Sequence, residues 1–248
     1  MEKKIAEDQS LSLLARASWP RLMLLPGMHG AGELFSDFKR ALPGDFASSA
    51  RSYPKDVCLS YADHLRAIED SAAESGPFVM LGESFSSTIA IQFAGKRPRN
   101  LKGLVLSAGF ATSPVRGFLQ WIAPAVVPVL SCLPVNKIGA RVMVPGEMRP
   151  GSPPARMRDA IAAVRPKVLM DRVQSVLACD ALEDLRRIEV PVLYLQARYD
   201  GLVNSVCLKE MRQVKPDIEV EVFNSSHMIL QERPREAAEI VARFVRRL

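Results

Sequence analysis

The chain has 248 residues, 48% hydrophobic and 24% charged, with 33 Lys and Arg against 27 Asp and Glu and a formal net charge of +6. That mixture excludes a disordered tail, a collagen and a small disulfide scaffold, because enough apolar side chains are present to build a core without staples. The positive balance permits an anionic partner without identifying one. Cys58, Cys132, Cys179 and Cys207 are scattered, with no CxxC pair and no neighbouring His. Neither a metal site nor a disulfide framework is expected, and a reduced, cytoplasmic setting is. The opening MEKKIAEDQS mixes both signs of charge where a secretory leader needs a basic start and an apolar run.

In chain order, RLMLL (21–25) predicts a short strand that runs into Pro26-Gly27, with a helical pattern over 33–42. Residues 61–73 place Leu65 and Ile68 at helical spacing, and PFVMLG (77–82) predicts a buried strand ending in glycine. A helix follows from 84 and stops before Pro98, and LKGLVLSAG (101–109) predicts another buried strand. Between about 111 and 182 the rhythm breaks, prolines cluster and no strand is evident. The uncharged run 117–136 has the length of a membrane span, but Pro124, Pro128 and Pro134 interrupt it, so a cap or buried segment is expected rather than a span. From 190 the alternation resumes: strand VPVLYLQ, helix SVCLKEMRQV, strand IEVEVF and a helix over 234–248. Strands alternating with helices predict an α/β fold with a mainly parallel sheet covered on both faces. The expected division is a core of 1–110 and 183–248 with a helical segment, 111–182, inserted between them.

Chemistry concentrates at three strand ends. Gly82-Glu83-Ser84-Phe85-Ser86 lies where a predicted strand meets a predicted helix, a turn that exposes the Ser84 hydroxyl at the carboxyl edge of the sheet. A serine needs a base, and the base an orienting carboxylate. His227 follows the last predicted strand and Asp200 the one before it, so both emerge on the edge that carries Ser84. The loop Pro26-Gly27-Met28-His29-Gly30 supplies a fourth element, because a developing oxyanion needs two aimed backbone N–H groups. Met28 and Phe85 are the expected donors.

These segments resemble the α/β-hydrolase superfamily over most of the chain. PGMHGAGELF is similar to its oxyanion loop with Pro26 in the place of a histidine, GESFSS to its nucleophile elbow, and YDGLV and SSHMILQERP to its acid and base segments. The resemblance implies an α/β-hydrolase fold, a Ser84 nucleophile, an Asp200 and His227 relay, Met28 and Phe85 as oxyanion donors, and a helical cap inserted after the sixth family strand. Ser86 and Ser87 replace a pair of glycines common in the family, Asn204-Ser205 stand where a proline often follows the acid, and the first family strands look missing or very short.

Other readings remain open at this level. Ser84 is also a good helix N-cap, and Asp200 a common turn residue, with Asp180 and Asp184 as fallback acids. His64 reads as a surface residue. His29 and Trp121 join Met28 and Phe85 as candidate substrate-binding residues, although His29 also reads as a hydrogen bonder within its own loop. Glu83 reads as packed or hydrogen-bonded near the elbow. From 112 to 182 the chain carries nine basic against four acidic residues, and so most of the net charge. The expected substrate is a carboxylic ester or thioester, with acyl carrier protein or coenzyme A as the anionic group that would meet the basic cap. Nucleic acid is not expected, and no metal or cofactor is needed. An acyltransferase on the same residues and a non-catalytic binding protein are the alternatives. The sequence leaves the oligomeric state open.

Overall fold

The computed structural model describes residues 19–73, 75–115, 136–138, 140, 144 and 151–248. Six strands form one sheet in the order β2-β1-β3-β4-β5-β6, all parallel: β1 Arg21–Leu25, β2 Ser48–Ala50, β3 Phe78–Glu83, β4 Leu101–Ser107, β5 Val192–Ala197 and β6 Glu219–Phe223. Parallel strands are hydrophobic on both faces, and β3 is buried along its whole length. Successive side chains divide accordingly. Met23, Leu25, Met80, Leu104, Leu106 and Tyr194 face one core, while Leu22, Leu24, Val79, Leu81, Val105 and Leu195 face the other.

A 3-10 turn, Gly32–Phe35, leads into α1, Ser36–Ala41, where the sequence predicted one helix. The first core is covered by α2 (Tyr61–Ala73), α3 (Phe85–Gly95) and, beyond β4, α6 (Leu182–Arg187) and α7 (Ser205–Val214). The second is covered by α1, a short α8 (Ile229–Glu232) and α9 (Pro234–Val245), which buries Ala237, Ala238, Val241, Ala242, Phe244 and Val245 at helical spacing. Ten of the eleven residues of α3 are buried, which makes it the central helix of its layer. The strand order reverses beside β1: the chain passes from β1 outward to β2, then back across to β3. The carboxyl ends of β1 and β3 therefore flank a topological switch point, where open α/β sheets bind ligands.

Between β4 and β5 the chain leaves and returns at one place. Thr112 bridges to Asp180, and the Ala181 amide donates to the Ala111 carbonyl at 2.8 Å. Within that excursion lie α4, Pro153–Ala162, and α5, Pro166–Leu177, each started by a proline whose missing N–H costs a helix nothing there. Met157, Ala160, Ile161, Val164, Val168 and Leu169 pack with Ala31 and Leu34 of the loop after β1, forming a third apolar cluster above the switch point. Trp121 and most of the apolar run at 117–136 lie outside the described residues. Among the described residues no helix is long and apolar enough to cross a membrane.

One strand lies where the sequence predicts none, and one expectation is corrected. Strand β2 was not predicted, since Ser-Ser-Ala has no apolar pattern; it forms an edge through its ladder to β1, pairing Leu22 with Ser48 and Leu24 with Ala50. His64 is 2% exposed rather than on the surface, because α2 turns that side against Tyr53 and Phe85.

Candidate active site

Ser84 directly follows β3 with φ 49° and ψ −112°, a strained combination for a residue with a Cβ, and α3 begins at the next residue. The strain is imposed by close packing: a Cβ on Gly82 would lie 2.8 Å from the Ser86 carbonyl oxygen and 2.9 Å from the Ala90 Cβ, so only glycine lets the strand meet the helix there. Ser84 occupies the N-cap position, yet its side chain caps nothing. Its hydroxyl donates to His227 Nε2 at 2.8 Å, and His227 Nδ1 donates to Asp200 Oδ2 at 2.8 Å. Asp200 Oδ1 accepts the Leu202 and Val203 amides, each at 2.8 Å, so the residue is turn-former and histidine partner at once. Burial alone would raise the Asp200 carboxyl; the His227 hydrogen bond and charge and the two amides outweigh it and hold it below the ordinary range. Asp180 instead caps the Leu182 amide, and Asp184 lies 3.9 Å from Arg187, so neither fallback acid is the partner of His227.

The loop after β1 closes with a tight turn in which the Gly30 amide donates to the Gly27 carbonyl at 2.9 Å, leaving the Met28 amide outside the turn's own bond. Phe85 opens α3, so its amide belongs to the first turn, whose N–H groups have no intrahelical acceptor. His29 is 4% exposed. Its Nδ1 accepts the Ala31 amide at 2.9 Å, so Nε2 carries the hydrogen and faces Glu83 Oε2 at 3.4 Å. The buried Glu83 carboxylate also accepts the Gly27 amide at 3.3 Å and Gln231 Nε2 at 2.9 Å. Burial would raise the Glu83 carboxyl, but His29, Gln231 and the nearby His227 hold it low. One carboxylate beside the serine thus joins the loop after β1, the end of β3 and the helix that follows His227.

Ser86 and Ser87, where glycines are usual, both hydrogen-bond. Ser86 Oγ donates to the Pro26 carbonyl and accepts from Tyr53 OH at 2.7 Å; burial pushes the Tyr53 phenol up, so it remains a donor. Ser87 Oγ accepts the Phe110 amide at 2.9 Å and lies 2.6 Å from the Ser84 carbonyl, tying the elbow to the end of β4.

A residue counted in the sequence only as part of the basic segment enters here. Arg172, on α5, is 2% exposed. Its Nη1 donates to the Met28 carbonyl at 2.6 Å and its Nη2 to the Pro54 carbonyl at 2.7 Å, with the guanidinium 5.9 Å from the Tyr53 ring centre. Nothing in the local sequence distinguishes Arg172 from its basic neighbours except its place on the apolar face of α5, beside Val168, Leu169 and Val176. Arg156 is likewise committed, to Asp37 of α1, and Arg158 Nη2 donates to the Val144 carbonyl at 2.7 Å. Arg165, Lys167 and Lys137 are exposed. Among the described residues no cluster of three or more His, Cys, Asp or Glu could hold a metal ion.

Comparison with known proteins agrees with this architecture. A proline iminopeptidase of Saccharolobus solfataricus is 22% identical over 245 residues, 88% of this chain and 76% of that protein. Among solved structures, the enol-lactonase of Burkholderia xenovorans LB400 superposes with a TM-score of 0.78 at 14% identity, covering 92% of each chain. A lipase-esterase related protein of Clostridium acetobutylicum gives 0.73 at 14% identity, covering 92% of this chain and 96% of its own. At such identities the structural likeness establishes the fold. The model of the alpha/beta hydrolase family matches residues 11–240, and the chain belongs to that family.

Proposed function

We propose that the protein is a serine hydrolase that cleaves a carboxylic ester or thioester through an acyl-enzyme. The observation that carries the reading is the unbroken relay from Ser84 Oγ to His227 to Asp200, with both links at 2.8 Å, on a serine held at positive φ. His227 Nε2 takes the Ser84 proton as Oγ attacks the acyl carbon. The negative charge that collects on the carbonyl oxygen is met by the Met28 and Phe85 amides. His227 then returns the proton to the departing alkoxide or thiolate, leaving the acyl group on Ser84. Water, deprotonated by the same imidazole, attacks the acyl-enzyme, and collapse releases the acid and restores Ser84. Asp200 remains ionised throughout, fixing the Nδ1–H tautomer and stabilising the imidazolium that forms twice per turnover.

A fluorophosphonate probe tests this directly. Wild type should label at Ser84 and hydrolyse short p-nitrophenyl esters, while Ser84→Ala and His227→Ala should do neither. A folded wild type that neither labels nor turns over would make the chain a binding protein on a hydrolase scaffold. In the finer form of the proposal, the helices over 153–177 form a cap and the acyl group is delivered on a phosphopantetheine carrier, acyl carrier protein or coenzyme A. Among the described residues over 153–177, Arg165 and Lys167 are exposed cations suited to it, whereas Arg156 and Arg172 are engaged inside the protein. Charge reversal at both should raise KM for a carrier thioester and leave a p-nitrophenyl ester unaffected; equal effects on the two substrates would remove the carrier from the proposal.

A further inference from the structure

Arg172 is placed as few arginines are. It is almost wholly buried, and among the described residues no carboxylate forms an ion pair with it. Burying a guanidinium without a counter-ion is unfavourable unless its donors are well matched. Here two of them reach the carbonyls of Met28 and Pro54, in loops that follow different strands. Room for this is kept by Gly30: it sits at φ +69°, and a Cβ there would lie 2.9 Å from Arg172 Nη1 and 3.0 Å from the Tyr53 Cβ.

The contacts close a ring. From Pro54 the chain steps back to Tyr53, whose amide donates to the Gly30 carbonyl at 2.8 Å and whose hydroxyl donates to Ser86. Ser86 donates to the Pro26 carbonyl, and two residues on is Met28, where Arg172 returns. Through this ring a helix of the segment between β4 and β5 is bonded to the residue whose amide faces the developing oxyanion in the reaction proposed above. The Met28 amide and the carbonyl held by Arg172 flank a single Cα, so fixing the carbonyl restricts the dihedrals that aim the amide.

We propose that Arg172 is a positioning residue for the oxyanion site: its two-pronged hold on the Met28 and Pro54 carbonyls aims the Met28 amide, so that α5 takes part in transition-state stabilisation. The inference rests on the serine-hydrolase reading. It predicts a selective effect, because an amide that is misaimed for the oxyanion stabilises the transition state less while the ground-state ester binds much as before.

The test compares wild type with Arg172→Met, Arg172→Lys and Arg172→Ala, each at a temperature where unfolding scans show it folded, with active sites counted by fluorophosphonate titration. For p-nitrophenyl acetate, Arg172→Met should lose about 10²-fold in kcat per titrated site, with KM changed by less than about threefold, the scale expected when one oxyanion donor is misplaced. Lysine, a single-point donor, cannot span both carbonyls and should restore less than about a tenth of the loss. Methylguanidinium at tens of millimolar should raise kcat of Arg172→Ala by about tenfold or more, and sodium chloride at equal ionic strength should not. A mere structural brace would lower the melting temperature and the titrated fraction while leaving kcat per site intact, and that result overturns the proposal. Absence of guanidinium rescue overturns it as well. Should no Arg172 variant fold, Gly30→Ala displaces the guanidinium from the loop side and should lower kcat per site by at least about tenfold at near-constant KM; unchanged kcat there counts against the proposal. If wild type itself fails to label at Ser84, the hydrolase reading falls, an outcome distinct from any of these.

Discussion

Buried His64 makes stability depend on pH in a way that can be worked out beforehand. The residue is 2% exposed, its Nε2 has no hydrogen-bond partner among the described residues, and its ring lies 4.2 Å from that of Tyr53 and edge-on to Phe85 at 5.7 Å. Burial, helped by the Arg172 charge and opposed by Asp63, lowers its pKa from 6.5 to about 4. The unfolded chain therefore binds one more proton than the folded chain between those two values. The stability is full above pH 6.5 and falls as the pH drops toward 4. The gap corresponds to about 3 kcal/mol, of which about 2.5 kcal/mol is spent by about pH 4.5. Urea unfolding of wild type and His64→Leu at about pH 7.5 and about pH 4.5 isolates this contribution. Carboxylates held low in the fold, such as Glu83 and Asp200, lose their stabilisation in acid in both proteins and cancel in the difference. The loss on acidification should be smaller in His64→Leu by about 2.5 kcal/mol, whatever its absolute stability. Equal losses in the two proteins would mean that His64 is protonated in the folded state, and the reasoning from burial would be refuted.

Asp200→Asn should fold and bind substrate, yet lose about 10⁴-fold in kcat through the wrong His227 tautomer, read from ester hydrolysis per folded molecule. Gly82→Ala drives a methyl against the Ser86 carbonyl and should cost about 1–3 kcal/mol in urea unfolding, with slower fluorophosphonate labelling as the elbow shifts. Asp37→Ala removes the partner of Arg156; the pair is partly solvated, so the loss should stay below about 1 kcal/mol, with kcat for a small ester unchanged.

What could be read from the sequence depended on whether a residue's partners lie close to it in the chain. Ser84, Asp200 and His227 each follow a predicted strand, and the parallel rule alone sends all three to one edge of the sheet. The strand rhythm of the sequence stops near 111 and resumes from 190, and between those points Thr112 bridges to Asp180. Strand β2 was not legible, since three small residues acquire strand geometry only from the neighbour they pair with. From sequence His64 reads as exposed, because a polar residue on an amphipathic helix is assigned to water unless its aromatic neighbours, here Tyr53 and Phe85, are known to arrive from elsewhere. Arg172 was hidden more deeply: its acceptors are main-chain carbonyls at residues 28 and 54, which no side-chain pattern can reveal.

The departures from the family's usual residues also read differently once their contacts are known. Ser86 stands where a glycine would leave the elbow unoccupied, and Pro26 where the oxyanion loop usually carries a histidine. In this protein the Ser86 hydroxyl bonds to the carbonyl of Pro26, and Tyr53 supplies the hydrogen bond that the hydroxyl would otherwise lack in a dry interior. A proline has no amide to offer, so its carbonyl is the one polar group through which the loop can be held at that residue. The contact comes from the serine alone, because a main-chain carbonyl is present whatever residue stands at 26. With Glu83 holding the same loop at Gly27 and Arg172 holding it at Met28, consecutive residues of the turn are fixed from the core below and from α5 above. A loop anchored at 26, 27 and 28 has little freedom left at the one amide, that of Met28, which the proposed chemistry needs aimed before substrate arrives.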